Sequence, residues 1–195
     1  MQDAPPATID LFWIPLGAGG NSVRFNGLVY EAIKAAQQRR PRFDLYHAAL
    51  IVNWNADRYT IELAPSPNAD ETSRGVVGVG PVGSRRLGRW RLFRYELRCC
   101  RGGSIPDLDY AVGEVQCLSN DPVVARRLLD LTPTVPTLVW GRDQLKTGDM
   151  WNSNSVIAWL IASCALPAGE LSPPPRGRAP GWGAGIEIAR RQAIR

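Results

Sequence analysis

The 195 residues carry 23 Lys+Arg against 18 Asp+Glu, a net charge of +5; 45% are hydrophobic and 21% charged. That balance supplies a packed core and excludes a disordered chain. No apolar stretch reaches the roughly 20 residues of a bilayer span, and the residues before Leu11 lack the basic and apolar regions of a secretory signal, so a soluble cytoplasmic protein is expected.

The four cysteines (Cys99, Cys100, Cys117 and Cys164) have no zinc-site spacing. Vicinal Cys99 and Cys100 are poorly disposed to pair with each other. Four reduced thiols are expected, most of them buried, with no metal and no cofactor. The chain has one histidine, His47, so any catalytic imidazole must be that one.

Ile9 to Leu16 reads as a first strand ended by Pro15. Gly17, Gly19, Gly20 and Asn21 form a turn without the G-x-x-x-x-G-K pattern of a phosphate loop. Gly27 to Arg40 reads as a helix with Val29, Ile33 and Ala36 on one face, stopped by Pro41. The nearly continuous apolar run Asp44 to Trp54 predicts a central strand covered on both faces. Asn55, Ala56 and Asp57 turn the chain into a return strand, Arg58 to Ala64. In that hairpin His47 comes near Glu62, where a carboxylate can orient an imidazole. A buried Glu62 needs a partner, either His47 or an arginine.

Pro65 to Gly83 is a loop with a short strand at Val76 to Val79. Residues 87–100 alternate, with Phe93, Tyr95, Leu97 and Cys99 on one face and Arg94, Glu96 and Arg98 on the other. That predicts a strand with one wet face. Its charges read first as a solvated edge, and as a nucleic-acid contact through Arg89, Arg91, Arg94 and Arg98 in the alternative. Leu108 to Leu118 reads as a helical turn and a short strand. Asn120 or Asp121 caps a helix from Pro122 to Leu131.

Trp151-Asn152-Ser153-Asn154-Ser155 opens an apolar run in which Val156, Trp159 and Leu160 recur at helical spacing, reaching about Leu166. Asn and Ser are good N-caps, and a helix N-terminus offers free N–H donors to an oxyanion. Ser172 to Trp182 is proline-rich and extended, followed by a short terminal helix from Gly185. The organisation expected is one α+β domain over residues 1–170 and a Pro/Arg-rich tail over 171–195.

Tyr46-His47-Ala48-Ala49-Leu50-Ile51-Val52 resembles the histidine strand of circularly permuted papain-like proteins. Asn152-Ser153-Asn154-Ser155 resembles the Asn-Cys-Asn motif that opens their nucleophile helix. The likeness is nearest to the PPPDE family of deSUMOylating-type isopeptidases, within the wider NlpC/P60 superfamily. It implies an α+β fold in which a small antiparallel sheet packs against the nucleophile helix, with residues 64–140 as a long insertion. It implies hydrolysis or acyl transfer at amide or ester bonds of a peptide, protein or acyl substrate held in a groove.

Carried onto this chain, the resemblance gives Ser153 as nucleophile, His47 as base, Glu62 as orienting carboxylate and Asn154 as part of the site. Ser155 is a second hydroxyl. The chain departs from the family in carrying Ser for Cys at 153 and an aliphatic residue, Val156 or Ile157, where an aromatic is usual. An alcohol is not ionised by a neighbouring imidazole and must lose its proton to an aligned base in the transition state. The other expectation is therefore a catalytically silent papain-like domain that binds a peptide, lipid or protein partner.

Overall fold

The structure, a computed structural model, describes residues 7–17, 43–65, 75–105 and 107–194. The helix expected at Gly27 to Arg40 and most of the glycine turn lie outside them. The described residues form seven strands and three α-helices: β1 (Thr8–Pro15), β2 (Asp44–Trp54), β3 (Asp57–Pro65), β4 (Val76–Pro81), β5 (Arg94–Arg101), β6 (Gln116–Ser119), α1 (Pro122–Leu131), α2 (Ser153–Ser163), β7 (Gly177–Arg178) and α3 (Trp182–Ala193). This is the α+β class expected. The sheet order is β4-β5-β3-β2-β1-β6 with antiparallel neighbours, and β7 joins β2 in parallel.

Strand alternation divides the side chains of this sheet between two faces. On the first, Ile9, Leu11 and Trp13 of β1 lie opposite Val52, Leu50 and Ala48 of β2. These residues share the main core with Ile61, Tyr95, Leu97 and the buried residues of α1, α2 and α3. A fully buried side chain such as Leu50 or Ile61 contributes about 2 kcal/mol of transfer free energy. On the second face Ile14, Ala49 and Ile51 form a smaller cluster with Ile105, flanked by Phe12, Leu108 and Ala111. Burial on both sides explains the unbroken apolar run of β2. Asn55 and Ala56 close the β2–β3 hairpin with φ of 50° and 63°, the left-handed pair that a two-residue turn requires.

α2 begins with a capping box, in which Asn152 accepts from Ser155 N and Ser155 Oγ accepts from Asn152 N. Every residue from Ser153 to Ile161 is buried, where the sequence suggested one apolar stripe. The helix lies between the sheet and α3, so it has no wet side. It ends at Ser163, short of the expected Leu166. α1 is capped by Asp121, whose carboxylate accepts from Val123 N at 2.7 Å, with Pro122 in the first turn.

Three further expectations change. Residues 87–93 are two 3-10 turns, Leu87–Arg89 and Arg91–Phe93, and the strand starts only at Arg94. The Arg94 side chain holds that bend, with Nε donating to Gly88 O at 2.7 Å and Nη2 to Arg89 O at 3.1 Å. The supposed wet face of β5 is covered: Glu96 is 5% exposed and paired with Arg98 at 2.8 Å. Residues 64–140, expected as an insertion, supply β4, β5, β6 and α1 to the main architecture.

The C-terminal segment carries β7 and α3, and α3 lies along α2 with Ala184, Gly185, Ile188 and Ala189 buried. The four cysteines are free thiols, with Cys164 buried, Cys99 and Cys100 half-buried and Cys117 exposed. No helix among the described residues is long and apolar enough to cross a membrane.

Candidate functional site

The site is organised by a parting of β2 and β3. Their ladder ends at Leu50 and Ile61; beyond it, Glu62 to Pro65 pair with β5 alone. The edge of β2 left open is filled from elsewhere. β7 takes Asp44 and Leu45. Asn154, at the start of α2, takes the next two peptide groups: its Oδ1 accepts from Ala48 N at 2.8 Å and its Nδ2 donates to Tyr46 O at 3.0 Å. One amide side chain thus replaces a strand partner on either side of His47, and fixes the first turn of α2, with Ser153 in it, against the parted strands.

The chain after β7 completes the arrangement. Pro180 O accepts from Asn152 Nδ2 at 2.8 Å and from Asn154 Nδ2 at 2.9 Å. Ser155 Oγ lies 2.8 Å from Gly181 O and 3.0 Å from Met150 O. Gly181 N donates to Asp149 Oδ2 at 2.6 Å. Gly181 has φ of 88°, and a Cβ there would run into Asn152 and Ser155, so the bend that caps α3 also fits against the cap of α2.

Ser153 differs from its three neighbours. It is 8% exposed, and among the described residues its hydroxyl joins no hydrogen bond. The N–H groups of Ser153 and Asn154, in the first turn of α2, likewise have no partner among them. One hydroxyl and two backbone donors therefore stand unspent at the positive end of a buried helix.

His47 lies on the second face of the sheet, opposite Ile14, whereas α2 packs on the first. Glu62, the neighbour of the core residue Ile61, is on the second face too. The two stand on either side of the parting. Burial lowers the pKa of His47 below 6.5, and the charge of Asp107 opposes that shift. Burial raises the Glu62 carboxyl, Arg98 pulls it back, and Asp107 adds to the rise. Glu62 is registered opposite Arg98, so of the two partners expected for it the arginine is the one the strands supply.

Among the described residues, no hydrogen bond joins His47 to Ser153 or to Glu62. Of the expected site residues, only Asn154 is bonded to the strand of His47, through the peptide groups on either side of it; Ser153 precedes Asn154 in the first turn of α2. His47, Glu62 and Asp107 gather on the far side of the opening. Asp107 escaped the sequence reading because a lone carboxylate in a turn after Ile105 carries no local signal. The described residues contain no metal-competent cluster of His, Cys, Asp and Glu. Of the arginines expected on the β5 strand, Arg89 and Arg91 belong to the 3-10 turns, Arg94 braces them, and Arg98 pairs with Glu96.

No protein-family model, curated protein or solved structure matches this chain.

Proposed function

We propose that the protein is a papain-like acyl hydrolase or acyltransferase in which Ser153 is the nucleophile and His47 the base, acting on an amide or ester bond of a peptide, protein or acyl substrate. The observation that carries this reading is the contrast within Asn152-Ser153-Asn154-Ser155. Asn154 ties the helix start to the strand of His47, Asn152 and Ser155 tie it to the Pro180–Gly181 bend, and the hydroxyl of Ser153 is left free.

In this scheme the Ser153 oxygen attacks the acyl carbonyl as its proton passes to His47. The C–N or C–O bond breaks with that proton given to the leaving amine or alcohol, and water or an acceptor nucleophile then takes the acyl group from Ser153. The oxyanion is received by the N–H groups of Ser153 and Asn154. Burial suits His47 to a serine site. A thiolate–imidazolium pair needs a charged ring, whereas an alcohol needs a neutral one, and desolvation favours the neutral form. The negative charge of Asp107 favours the charged imidazole and so partly offsets the effect of burial on His47.

A fluorophosphonate probe tests the reading. The intact protein should be labelled, and both Ser153→Ala and His47→Ala should lose labelling by a factor of about 10³ or more. Labelling that survives Ser153→Ala, or an unlabelled wild-type protein, rejects it. The pH dependence gives a second check. The acid limb of the labelling rate should fall below the ordinary histidine value of 6.5, because the lowered pKa keeps the base neutral into mild acid. A limb above 6.5 contradicts a buried His47 base.

A second reading is a silent papain-like domain that binds a peptide, lipid or protein partner at the opening. The absence of a His47–Ser153 hydrogen bond among the described residues favours it. It predicts no labelling, with partner binding unchanged in Ser153→Ala.

A further inference from the structure

The chain between β4 and β5, from Pro81 to Arg94, forms a lobe at the end of the sheet where Pro65 of β3 meets Tyr95 of β5. This is also the end at which β2 and β3 part. From Gly75 to Tyr95 the sequence has no Asp or Glu, while Arg85, Arg86, Arg89, Arg91 and Arg94 fall within it. Among the described residues no carboxylate pairs with Arg85, Arg86 or Arg89. A cleft of about 470 Å³ opens here, lined by Arg85, Arg89 and Arg94 together with Val79, Pro81 and Thr137. The lobe is also apolar at its tip: Trp90 and Leu92 are each 68% exposed, with Leu87 and Val79 exposed beside them. The Phe93 ring supports the Trp90 indole at 6.5 Å.

We infer that this lobe docks the protein on an anionic lipid surface, with Trp90 and Leu92 entering the headgroup region and Arg85, Arg86 and Arg89 meeting the phosphates. Arginine with exposed tryptophan and leucine is the composition of an interfacial anchor, in which apolar burial and attraction to acidic lipid add. Trp90 alone could stack a base, but the larger exposed apolar surface is the aliphatic Leu87, Leu92 and Val79, which offer no stacking face and are buried by a lipid surface, so the patch favours lipid over nucleic acid. The lobe is held in shape from behind. Arg94 donates to the carbonyls of Gly88 and Arg89, and Arg142 Nε donates to Gly83 O at 2.9 Å. The inference goes beyond the Ser153 chemistry and does not depend on it.

The test is co-sedimentation of the full chain with vesicles of phosphatidylcholine containing phosphatidylserine, against vesicles of phosphatidylcholine alone. Binding is expected to the first and not to the second. Arg85→Glu/Arg86→Glu/Arg89→Glu should weaken it about a hundredfold or more. Trp90→Ser/Leu92→Ser should also weaken it, with unchanged melting showing that the fold is intact. No binding to acidic vesicles, or equal binding to both kinds, overturns the inference. So does tighter binding of single-stranded RNA or an acidic peptide that survives Trp90→Ser/Leu92→Ser. Fluorophosphonate labelling of Ser153 is read separately, so either proposal can fail while the other stands.

Discussion

Asn154→Asp should destabilise the protein by about 4 kcal/mol, lowering its melting temperature by roughly 8–16 °C for a chain of this size. Asparagine is 2% exposed here and serves three peptide groups at once. Aspartate keeps the bond from Ala48 N. Its other oxygen, however, must face the carbonyls of Tyr46 and Pro180: Tyr46 O loses this donor, Pro180 O keeps only that from Asn152, and both gain a neighbouring negative charge in a buried place. The sign with pH follows. A carboxyl held in such a site is raised far above its unfolded value, so the variant recovers stability as pH falls and the group takes a proton it can donate. Asn154→Ala removes the same bonds without the charge and should cost less. Thermal melts of the three proteins at neutral and mildly acid pH check the order. An Asn154→Asp protein that melts within about 2 °C of wild type would show that the clamp on β2 does not exist.

The second large effect lies on the other side of α2. Gly185→Ala should destabilise by about 2 kcal/mol, although alanine is the better helix former by about 1 kcal/mol. A Cβ at Gly185 would overlap the Ser155 carbonyl oxygen and lie 2.8 Å from Trp159 N and 2.9 Å from Ala158 Cβ. Two of these are backbone atoms that cannot rotate aside, so α2 and α3 must separate along a buried contact. Gly183→Ala, on the same helix, has nothing within 4 Å of its new Cβ and should stabilise by a few tenths to 1 kcal/mol. Opposite shifts in melting temperature for the two substitutions identify packing as the cause. If both stabilise, α3 does not sit against α2 as described.

Patterns that depend on local chemistry were legible in the sequence. The nearly continuous apolar run of Asp44 to Trp54 is β2, because its centre, Ala48 to Val52, is covered on both faces and tolerates no polar position. Asp121 followed by Pro122 marks the start of α1, and Asn152 with Ser155 marks that of α2, because caps act over three residues. What escaped depends on tertiary neighbours. Arg89-Trp90-Arg91-Leu92 alternates like a strand but has no strand beside it: β4 ends at Pro81, and Arg94 ties the chain into turns instead. Glu96 alternates with buried residues and is itself buried, because Arg98 accompanies it. Asn154 reads locally as a helix-start residue. Its bonds to Tyr46 and Ala48 span over a hundred positions, and no window along the chain can contain them. Asp107 gains its relation to His47 and Glu62 only through the fold.

The filling of the β2 edge by late parts of the chain bears on how the protein is made. On the ribosome β1, β2 and β3 emerge first, yet the peptide groups of Tyr46 and Ala48 find their partner only with Asn154, and Asp44 and Leu45 only with Gly177 and Arg178. Until then the nascent chain presents an unpaired length of its most apolar strand, the kind of edge that recruits other strands. Nascent chains arrested before Gly177 should therefore be captured by chaperones that bind extended apolar segments, and release should coincide with emergence of Gly177 and Arg178. By the same order of events the first turn of α2, Ser153 included, acquires its setting last, when Pro180 and Gly181 reach Asn152 and Ser155.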